Sequence, residues 1–337
     1  MDLSTFPRVP LGSWPTPLDT CPRLSAELGA TVLVKRDDVG GIGLGGNKLR
    51  KLEFTLAAAL AEGAGKIVTF GGVQTNHGRL TAASCARLGL RCELVLTRSV
   101  SRSGFAYDRS GNVALDELFG ATVYLCDTDE EAAEIAAALA DDRTVTLPVG
   151  GSSGLGVLGY VSAAAELAAQ LGDRHVDRIF CALGSGGTVA GLALGTETPI
   201  TAVTVSREAD AAMAVVEQVA GLAADVLKID EPKLDHVTPD DSALGEGYGV
   251  PTDEVWAALR LFARTEGIVL DPVYTGKAAA ALVAGVRPGE TVVFTHTGGT
   301  PGLFGYAPDL AAEARIGALP AETWIHRLTH RIPGSGP

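Results

Sequence analysis

Aromatic residues and cysteines are scarce in this chain. Only 5% of its 337 residues are aromatic, and five are cysteines. The cysteines are odd in number, widely spaced and form no Cys-x-x-Cys pair: Cys21, Cys85, Cys92, Cys126 and Cys181. This pattern argues against a disulfide framework or a zinc site and predicts buried, reduced thiols.

An excess of positive charge and long apolar segments are also missing. The net charge of −13 argues against a general affinity for nucleic acid or an anionic membrane. The N-terminal residues MDLSTFPRVPLG have no apolar core of a secretory signal, and no apolar stretch approaches the length of a membrane span. We expect a cytoplasmic protein that binds small molecules and needs no metal.

Short β-rich runs alternate with Ala- and Leu-rich helical runs along most of the chain. Strands are predicted at 31–37, 66–72, 91–97, 121–127, 143–149, 177–184, 200–206 and 291–299. Helices are predicted around 49–64, 80–89, 129–142 and 160–172. The alternation predicts an α/β protein with open parallel sheets flanked by helices. The length suggests two lobes. The glycine-rich run 147–160 is either the joint between the lobes or a loop that caps a helix. The C-terminal tail, 330–337, is expected to fray.

A glycine-rich run, GGIGLGGNKLRKLEF at 40–54, leads into a predicted helix. It contains G-x-G-x-x-G, but the charged residues KRDD separate it from the preceding strand, unlike a dinucleotide loop. It is not a nucleotide P-loop either, because GNKL replaces GK[ST]. In a glycine-walled apolar pocket, Lys48 would have a lowered pKa and could form a Schiff base. The segment alone favours a solvated loop lysine.

Two further loops join a predicted strand to a helix. Thr75, Asn76 and His77 fall at a helix start in FGGVQTNHGRLTAA, where free N–H groups can bind a carboxylate or where Thr75 or Asn76 acts as an N-cap. In CALGSGGTVAGL, residues 184–188 suit one phosphate group, since no P-loop lysine is present, or form a purely structural turn.

The last two candidate segments lie near the C-terminus. VLDPVYTGKAAAAL (269–282) is predicted as strand, turn and helix, with Tyr274 and Thr275 at the turn. FTHTGGTPGLFGY (294–306) ends a strand at residues 296–299. All five segments thus follow predicted strands, at the end where open α/β sheets bind ligands.

Together these segments, spread from residue 35 to 306, resemble the pyridoxal-phosphate (PLP) enzymes of the tryptophan-synthase-β fold, also called fold type II. More narrowly, they resemble the D-cysteine desulfhydrase and 1-aminocyclopropane-1-carboxylate (ACC) deaminase family. The resemblance implies a two-lobed homodimeric enzyme, with a large PLP-binding domain at 1–50 and 161–337 and a small α/β domain at 51–160. The active site would lie in the cleft between the domains.

The resemblance also implies a role for each motif residue. Lys48 would be the covalent anchor of the cofactor, and Lys51 would approach its phosphate. The phosphate cup would be formed by Gly184, Ser185, Gly186, Gly187 and Thr188. Asn76 would bind the phenolic oxygen and Thr297 would face the pyridine nitrogen. The substrate carboxylate would be held by Thr75, Asn76 and His77. Thr75 and Tyr274 would assist proton transfer, and Tyr248 would complete the pocket wall.

Two residues depart from the family pattern. Thr75 stands where the family usually has serine, and its extra methyl group narrows the pocket and stiffens χ1. Thr275 stands where the deaminases have a glutamate, in a segment resembling PVYEGK. A carboxylate near the pyridine nitrogen would favour its protonated form, and threonine does not. This difference disfavours ring opening of a cyclopropane.

The implied reaction is β-elimination from a small β-substituted alanine, with D-cysteine giving pyruvate, sulfide and ammonia. L-cysteate sulfo-lyase, ACC deaminase and a non-catalytic PLP-binding homologue are the alternatives. Arg207 either meets an anionic leaving group or is a surface arginine.

Overall fold

The computed structural model describes residues 1–311, which form two separate β-sheets flanked by helices. The strands are β1 (Leu18–Thr20), β2 (Thr31–Arg36), β3 (Lys66–Gly72), β4 (Arg91–Thr97), β5 (Thr122–Cys126), β6 (Thr144–Leu147), β7 (Arg178–Leu183), β8 (Ile200–Thr204), β9 (Val237–Asp240) and β10 (Thr291–His296). The first helices are α1 (Pro22–Leu28), α2 (Lys48–Ala61), α3 (Asn76–Leu88), α4 (Phe105–Arg109), α5 (Asn112–Leu118), α6 (Asp129–Leu139) and α7 (Gly154–Leu171). The others are α8 (Gly187–Gly195), α9 (Ala209–Leu227), α10 (Asp253–Glu266), α11 (Thr275–Gly285), α12 (Thr300–Leu303) and α13 (Ala307–Ala311). Short 3₁₀ turns span Asp37–Val39, Val149–Gly151 and Phe304–Tyr306.

The larger sheet has the strand order β1-β2-β10-β7-β8-β9, and only β1 runs antiparallel to its neighbour. Alternate residues of β7 face opposite sides, as a strand requires. Ile179 and Cys181 pack with α7, α8 and α9, whereas Phe180 and Ala182 pack with α1, α10 and α11. Burial on both faces explains why these strands read as continuous apolar runs.

The smaller sheet is fully parallel, in the order β5-β4-β3-β6. Leu94 and Leu96 of β4 pack with residues of α2 and α3, and Val95 packs against α6 on the other face. The predicted architecture of open, helix-flanked parallel sheets is therefore confirmed. The five cysteines are free and buried, as predicted.

All eight strands predicted from the eight buried runs are present, but two edge strands were missed. β1 has three residues and β9 has four, and β9 contains Pro239. Segments this short do not show the alternation of apolar and polar residues that identifies a strand. Short strands that contain Asp or Pro are typical of sheet edges.

The strand predicted at the start of segment 269–282 is wrong. Residues 267–270 pair with no strand in the described chain. Instead, the Val269 carbonyl accepts hydrogen bonds from His296 Nε2 (3.1 Å) and Thr300 Oγ1 (3.3 Å). Side chains therefore bind this carbonyl oxygen at the place where the sequence predicted a strand.

Helix α7 corrects one expectation about apolar segments. Within residues 1–311 it is the one helix with the length and apolar composition of a membrane span, at 18 residues and a mean hydropathy of 1.2. However, 56% of it is buried inside the protein, where it contacts α2, α8 and α9. The core helix of a soluble protein has the same properties.

The strands of the smaller sheet all lie within the predicted small domain, 51–160. The predicted boundaries fall inside α2 and α7, which pack against each other. The glycine-rich run 147–160 does cap a helix, because Ser153 Oγ accepts from Gly156 N (3.1 Å) at the start of α7. The predicted frayed tail, 330–337, lies outside the described residues.

Candidate active site

A cavity of about 700 Å³ lies between the two sheets, beside the C-terminal ends of β3 and β7. Both sheets contribute to its wall, as the predicted interdomain cleft requires. From the small-sheet side come Thr75, Asn76 and His77, and from the large-sheet side come residues 184–186, Thr188, Tyr248, Tyr274 and Thr297. Lys48 also lines it. Of the predicted site residues, Lys51 and Gly187 lie behind the wall.

Lys48 is the first residue of α2 and is half-buried at the cavity surface. The preceding loop needs glycine: Gly45 has φ +66°, and a Cβ there would lie 2.1 Å from the Asp38 carbonyl oxygen. Within residues 1–311, no group hydrogen-bonds the Lys48 amine. Burial lowers the pKa of Lys48 to about 8. An amine in this state is nucleophilic at near-neutral pH, which is the property that a covalent anchor, the role implied by the resemblance, requires.

Lys51 lies one helical turn after Lys48 and supports the glycine turn before α8. Its Nζ donates to Ser152 Oγ (3.0 Å) and to the Gly150 carbonyl oxygen (3.2 Å). Ser152 Oγ in turn contacts Ser185 Oγ (2.8 Å) and accepts from Gly187 N (3.2 Å). Burial and the nearby charge of Lys48 hold the pKa of Lys51 well below its ordinary value. Sequence reasoning missed Ser152, although it lies in the glycine-rich run 147–160.

These two lysines place two amines side by side, and burial lowers the pKa of both. Neither forms a salt bridge with any residue in 1–311. Next to them, the α8 N-terminus presents backbone N–H groups that have no partner within the helix. A buried pair of amines beside a helix N-terminus is stabilised by an anion. The residues present therefore fit a phosphate-bearing cofactor that reacts with an amine.

A buried ionic network fixes the loop that carries Lys48. Arg50 donates to both carboxylate oxygens of Asp37 (2.8 and 2.9 Å) and to Glu166 (2.8 and 3.0 Å). Burial alone would raise the pKa of Asp37, but the Arg50 charge and hydrogen bonds from Arg50, Tyr160 and Thr16 hold it below its ordinary value. The Asp37 carbonyl oxygen accepts from Gly46 N (2.8 Å). Sequence reasoning missed this network, whose members are far apart in the chain.

The amide of Asn76 is held in one orientation. Its Oδ1 accepts from Asn112 Nδ2 (2.9 Å), and that same Nδ2 donates to the Gln74 carbonyl oxygen (2.9 Å). Asn112 N donates to Gln74 Oε1 (2.9 Å). Asn76 Nδ2 is therefore the group left to donate to a ligand oxygen. This fits the role that the resemblance implies for Asn76, and Asn112 is a supporting residue that the sequence did not reveal.

Thr75 is the N-cap of α3, because its Oγ1 accepts from Gly78 N (3.3 Å). Capping was the alternative to ligand binding in the sequence analysis, and the side chain both caps the helix and lines the cavity. The N–H groups of Asn76 and His77 lie at the start of α3, where the helix dipole favours a carboxylate.

The tautomer of His77 follows from its neighbour. Thr69 Oγ1 donates its one proton to the Leu147 carbonyl oxygen (3.0 Å), so it must accept from His77 Nε2 (2.9 Å). Nδ1 is then unprotonated, buried and without a partner among the described residues. Burial and the charges of Lys48 and Lys51 hold the pKa of His77 well below its ordinary value. A carboxylate would therefore be bound by the His77 backbone N–H, because the ring has no N–H left to donate.

Two tyrosines form a hydrogen-bonded pair in the cavity wall. Tyr248 Oη and Tyr274 Oη are 2.6 Å apart, and the rings meet edge to face. Burial raises the pKa of both phenols above the ordinary value, so both keep their protons near neutral pH. Because one proton lies between the two oxygens, the other is available to a ligand.

Asp271 shapes the turn that carries Tyr274. Its carboxylate accepts from Val273 N (2.8 Å), Tyr274 N (2.7 Å) and Thr275 Oγ1 (2.6 Å). Thr275 is fully buried and does not line the cavity. Its hydroxyl is thus committed to Asp271, and the sequence-based argument that placed residue 275 beside the cofactor ring is not supported by the position of this side chain.

Two further wall residues, Asn47 and Arg207, lie in the loops before α2 and after β8. Asn47, which the sequence analysis missed, donates from Nδ2 to Thr188 Oγ1 (2.9 Å) and from its backbone N to the Thr297 carbonyl oxygen (2.9 Å). It ties the start of α2 to two predicted cofactor-binding residues. Arg207 is exposed and lines the cavity, so its two predicted interpretations, surface residue and ligand contact, are compatible.

Comparison with known proteins agrees with this site. Residues 9–298 match the family model described as pyridoxal-phosphate dependent enzyme. The D-cysteine desulfhydrase of Klebsiella pneumoniae (strain 342) is 42% identical and is aligned over 92% of this chain and 99% of its own length. That of Serratia proteamaculans (strain 568) is 43% identical over 91% and 98%. The crystal structure of an ACC deaminase homologue superposes with a TM-score of 0.82 at 37% identity, covering 92% of this chain and 97% of that one. The chain therefore belongs to the pyridoxal-phosphate dependent enzymes, with the type II fold of the D-cysteine desulfhydrase and ACC deaminase family.

Proposed function

We propose that the protein converts D-cysteine and water into pyruvate, hydrogen sulfide and ammonia. The observation that carries the proposal is the unpartnered Lys48 amine, which faces a cavity beside an anion-binding helix start and two neutral tyrosines. The names of the similar desulfhydrases support D-cysteine as the substrate.

Bound pyridoxal phosphate would supply an electron sink for the negative charge that develops at the substrate α-carbon. The residues that would hold it are Lys48, Asn76, Thr188, Thr297 and the glycine turn 184–187, and Lys51 would support that turn through Ser152. The chain's own residues then have three tasks, which are binding the carboxylate, removing the α-proton and protonating the leaving group.

The substrate carboxylate would bind at the start of α3. The backbone N–H groups of Asn76 and His77 and the Thr75 hydroxyl are placed there. Orienting the carboxylate fixes the α-carbon relative to Lys48, whose amine at Nζ would accept the α-proton. Its pKa of about 8 suits a general base near neutral pH.

The leaving sulfur would be protonated by the tyrosine pair. When the C–S bond breaks, the electron pair goes to sulfur, and the free phenolic proton of Tyr248 or Tyr274 neutralises it. The second phenol shares its proton with the oxygen that has become negative and so lowers the cost of the transfer. Hydrolysis of the released aminoacrylate gives pyruvate and ammonia.

The test is an assay of pyruvate and sulfide with D-cysteine, together with the visible absorption spectrum of the protein with its cofactor. We expect equal amounts of both products, and loss of product and of the lysine-bound absorption band in Lys48→Ala. Lys228→Ala is a matched control, because Lys228 lies at the far end of α9, away from the cavity. A wild-type protein that binds the cofactor and yields no product from any amino acid tested would instead support the non-catalytic homologue.

Two other substrates belong in the same assay. The ACC deaminase homologue among the similar structures makes ACC a second candidate, and release of 2-oxobutanoate would identify it. L-cysteate carries an anionic leaving group, which Arg207 at the cavity wall could meet. Arg207→Ala should then reduce turnover of L-cysteate and leave that of D-cysteine unchanged. The homodimer and the cytoplasmic location stay predictions; light scattering tests the first and cell fractionation the second.

A further inference from the structure

Gly78 lies in the first turn of α3, three residues after Thr75, in ordinary helical conformation. Glycine destabilises a helix relative to alanine because it loses more conformational freedom on folding. No left-handed backbone angle requires glycine at this position. Its presence therefore calls for a steric reason.

That reason is the methyl group of Thr75. A Cβ built on Gly78 would lie 2.5 Å from Thr75 Cγ2, a distance that real Cβ atoms essentially never show. The next nearest atoms, both from Leu94, are 3.5 and 3.7 Å away, which is ordinary van der Waals contact. The only conflict is thus with Cγ2, an atom that serine does not have. We call the space that Cγ2 occupies beside Gly78 the methyl slot.

The methyl slot also fixes the Thr75 hydroxyl. Cγ2 and Oγ1 are both bonded to Cβ, so placing one determines the other, and β-branching leaves few χ1 alternatives. On its other side Thr75 packs on Gly71, where a Cβ would lie 2.5 Å from Oγ1 and 2.7 Å from Cβ. Thr75 is held between two residues without side chains, and only 5% of it is exposed.

We infer that Gly78 is a positioning residue for the Thr75 hydroxyl in the carboxylate-binding corner of the active site. The inference rests on the proposed function only for what the hydroxyl does; the steric pairing of Thr75 with Gly78 stands on geometry. It follows that alanine at 78 is compatible with serine at 75 and incompatible with threonine.

The test is a double-mutant cycle of wild type, Thr75→Ser, Gly78→Ala and the double variant. Three quantities are measured: kcat and KM with D-cysteine, the affinity of the apoprotein for pyridoxal phosphate, and the urea midpoint of unfolding. We expect Gly78→Ala alone to lower kcat/KM about tenfold or more and to lower the midpoint, as overpacking does. In the Thr75→Ser background the same change should leave kcat/KM within about twofold and raise the midpoint, since alanine is the better helix former.

Gly221→Ala is the matched control, because Gly221 is also inside a helix and a Cβ there would meet nothing within 4 Å. It should raise the midpoint and leave kinetics unchanged. If Gly78→Ala has the same effect on all three quantities in both backgrounds, the inference is wrong. If wild type does not act on D-cysteine, the proposed function fails, while the unfolding cycle still decides whether the methyl slot exists.

Discussion

Asn112 provides the sharpest test of how the site is oriented. Its Nδ2 donates at 2.9 Å to Asn76 Oδ1 and at 2.9 Å to the Gln74 carbonyl oxygen. Asn112→Asp removes this donor and places a carboxylate oxygen against Asn76 Oδ1. The repulsion is relieved if the Asn76 amide turns over, so that its Nδ2 donates to the new carboxylate. Asn76 then presents a carbonyl oxygen to the cavity where it had presented a donor.

The expected loss follows from one hydrogen bond to a charged oxygen. Such a bond contributes about 1.5–3 kcal/mol, which corresponds to about a 10- to 150-fold weaker affinity for pyridoxal phosphate. The affinity is measured by titrating apoprotein with the cofactor and recording its visible absorbance. Circular dichroism of each variant confirms that it is folded.

The control variant adds the same charge elsewhere on the same helix. Ala114 is an exposed residue of α5, and Ala114→Asp should leave the affinity within about twofold of wild type because surface changes of this kind have small effects. Asn112→Ala, which frees the Asn76 amide without forcing it to turn, should give an intermediate loss. An affinity for Asn112→Asp equal to that of Ala114→Asp would refute the orientation that we assign to Asn76.

The remaining predictions concern three basic side chains, Lys48, Arg50 and Lys277. In the apoprotein, the neutral fraction of Lys48 rises as pH increases through its pKa of about 8. The rate of covalent cofactor capture should therefore rise about tenfold per pH unit below 8 and level off above it. Stopped-flow absorbance measures this rate, and a rate that does not change with pH would contradict the prediction. Arg50→Met leaves the carboxylates of Asp37 and Glu166 without their cation. It should lower the free energy of unfolding, measured by urea unfolding, by about 3–5 kcal/mol. A loss below about 1 kcal/mol would show that the network contributes little to stability. Lys277 Nζ donates to the Leu244 and Gly247 carbonyl oxygens (2.7 and 2.6 Å) and so anchors the loop that carries Tyr248. Lys277→Met leaves both carbonyl oxygens unpaired, at about 1–3 kcal/mol each. This variant should have a lower kcat and a lower melting temperature, with cofactor affinity unchanged.

Much of the fold could be predicted from the sequence because the relevant signals are local. Buried parallel strands read as apolar runs, and glycine-rich loops mark the points where strands lead into helices. The same logic failed for residues 267–270, a short apolar run in which the Val269 carbonyl oxygen binds the side chains of His296 and Thr300 instead of a neighbouring strand. Apolar character alone cannot distinguish a strand from a buried connection.

The supporting residues of the site could not be predicted in this way. Asn47 and Thr188 are 141 positions apart, and Arg50 and Glu166 are 116 apart. Nothing in the residues around Asn112 or Glu166 indicates a partner, because an asparagine or glutamate in a helix has no local feature that records what it contacts. Motifs identify the residues that face a ligand, whereas the residues that orient them are specified by the tertiary fold.

Residue 275 shows why this distinction matters for substrate choice. From the sequence, threonine at this position disfavours ring opening because it places no carboxylate near the cofactor ring. In the structure, Thr275 Oγ1 donates to Asp271 Oδ2 at 2.6 Å and is fully buried, so it shapes the turn rather than the cavity. Its neighbour Tyr274, the last residue of the turn before α11, lines the cavity and pairs with Tyr248. In the proposed reaction, the tyrosine pair is the group that would meet the leaving atom, so we expect variants of Tyr248 and Tyr274 to change the preference between a thiol and a cyclopropane substrate.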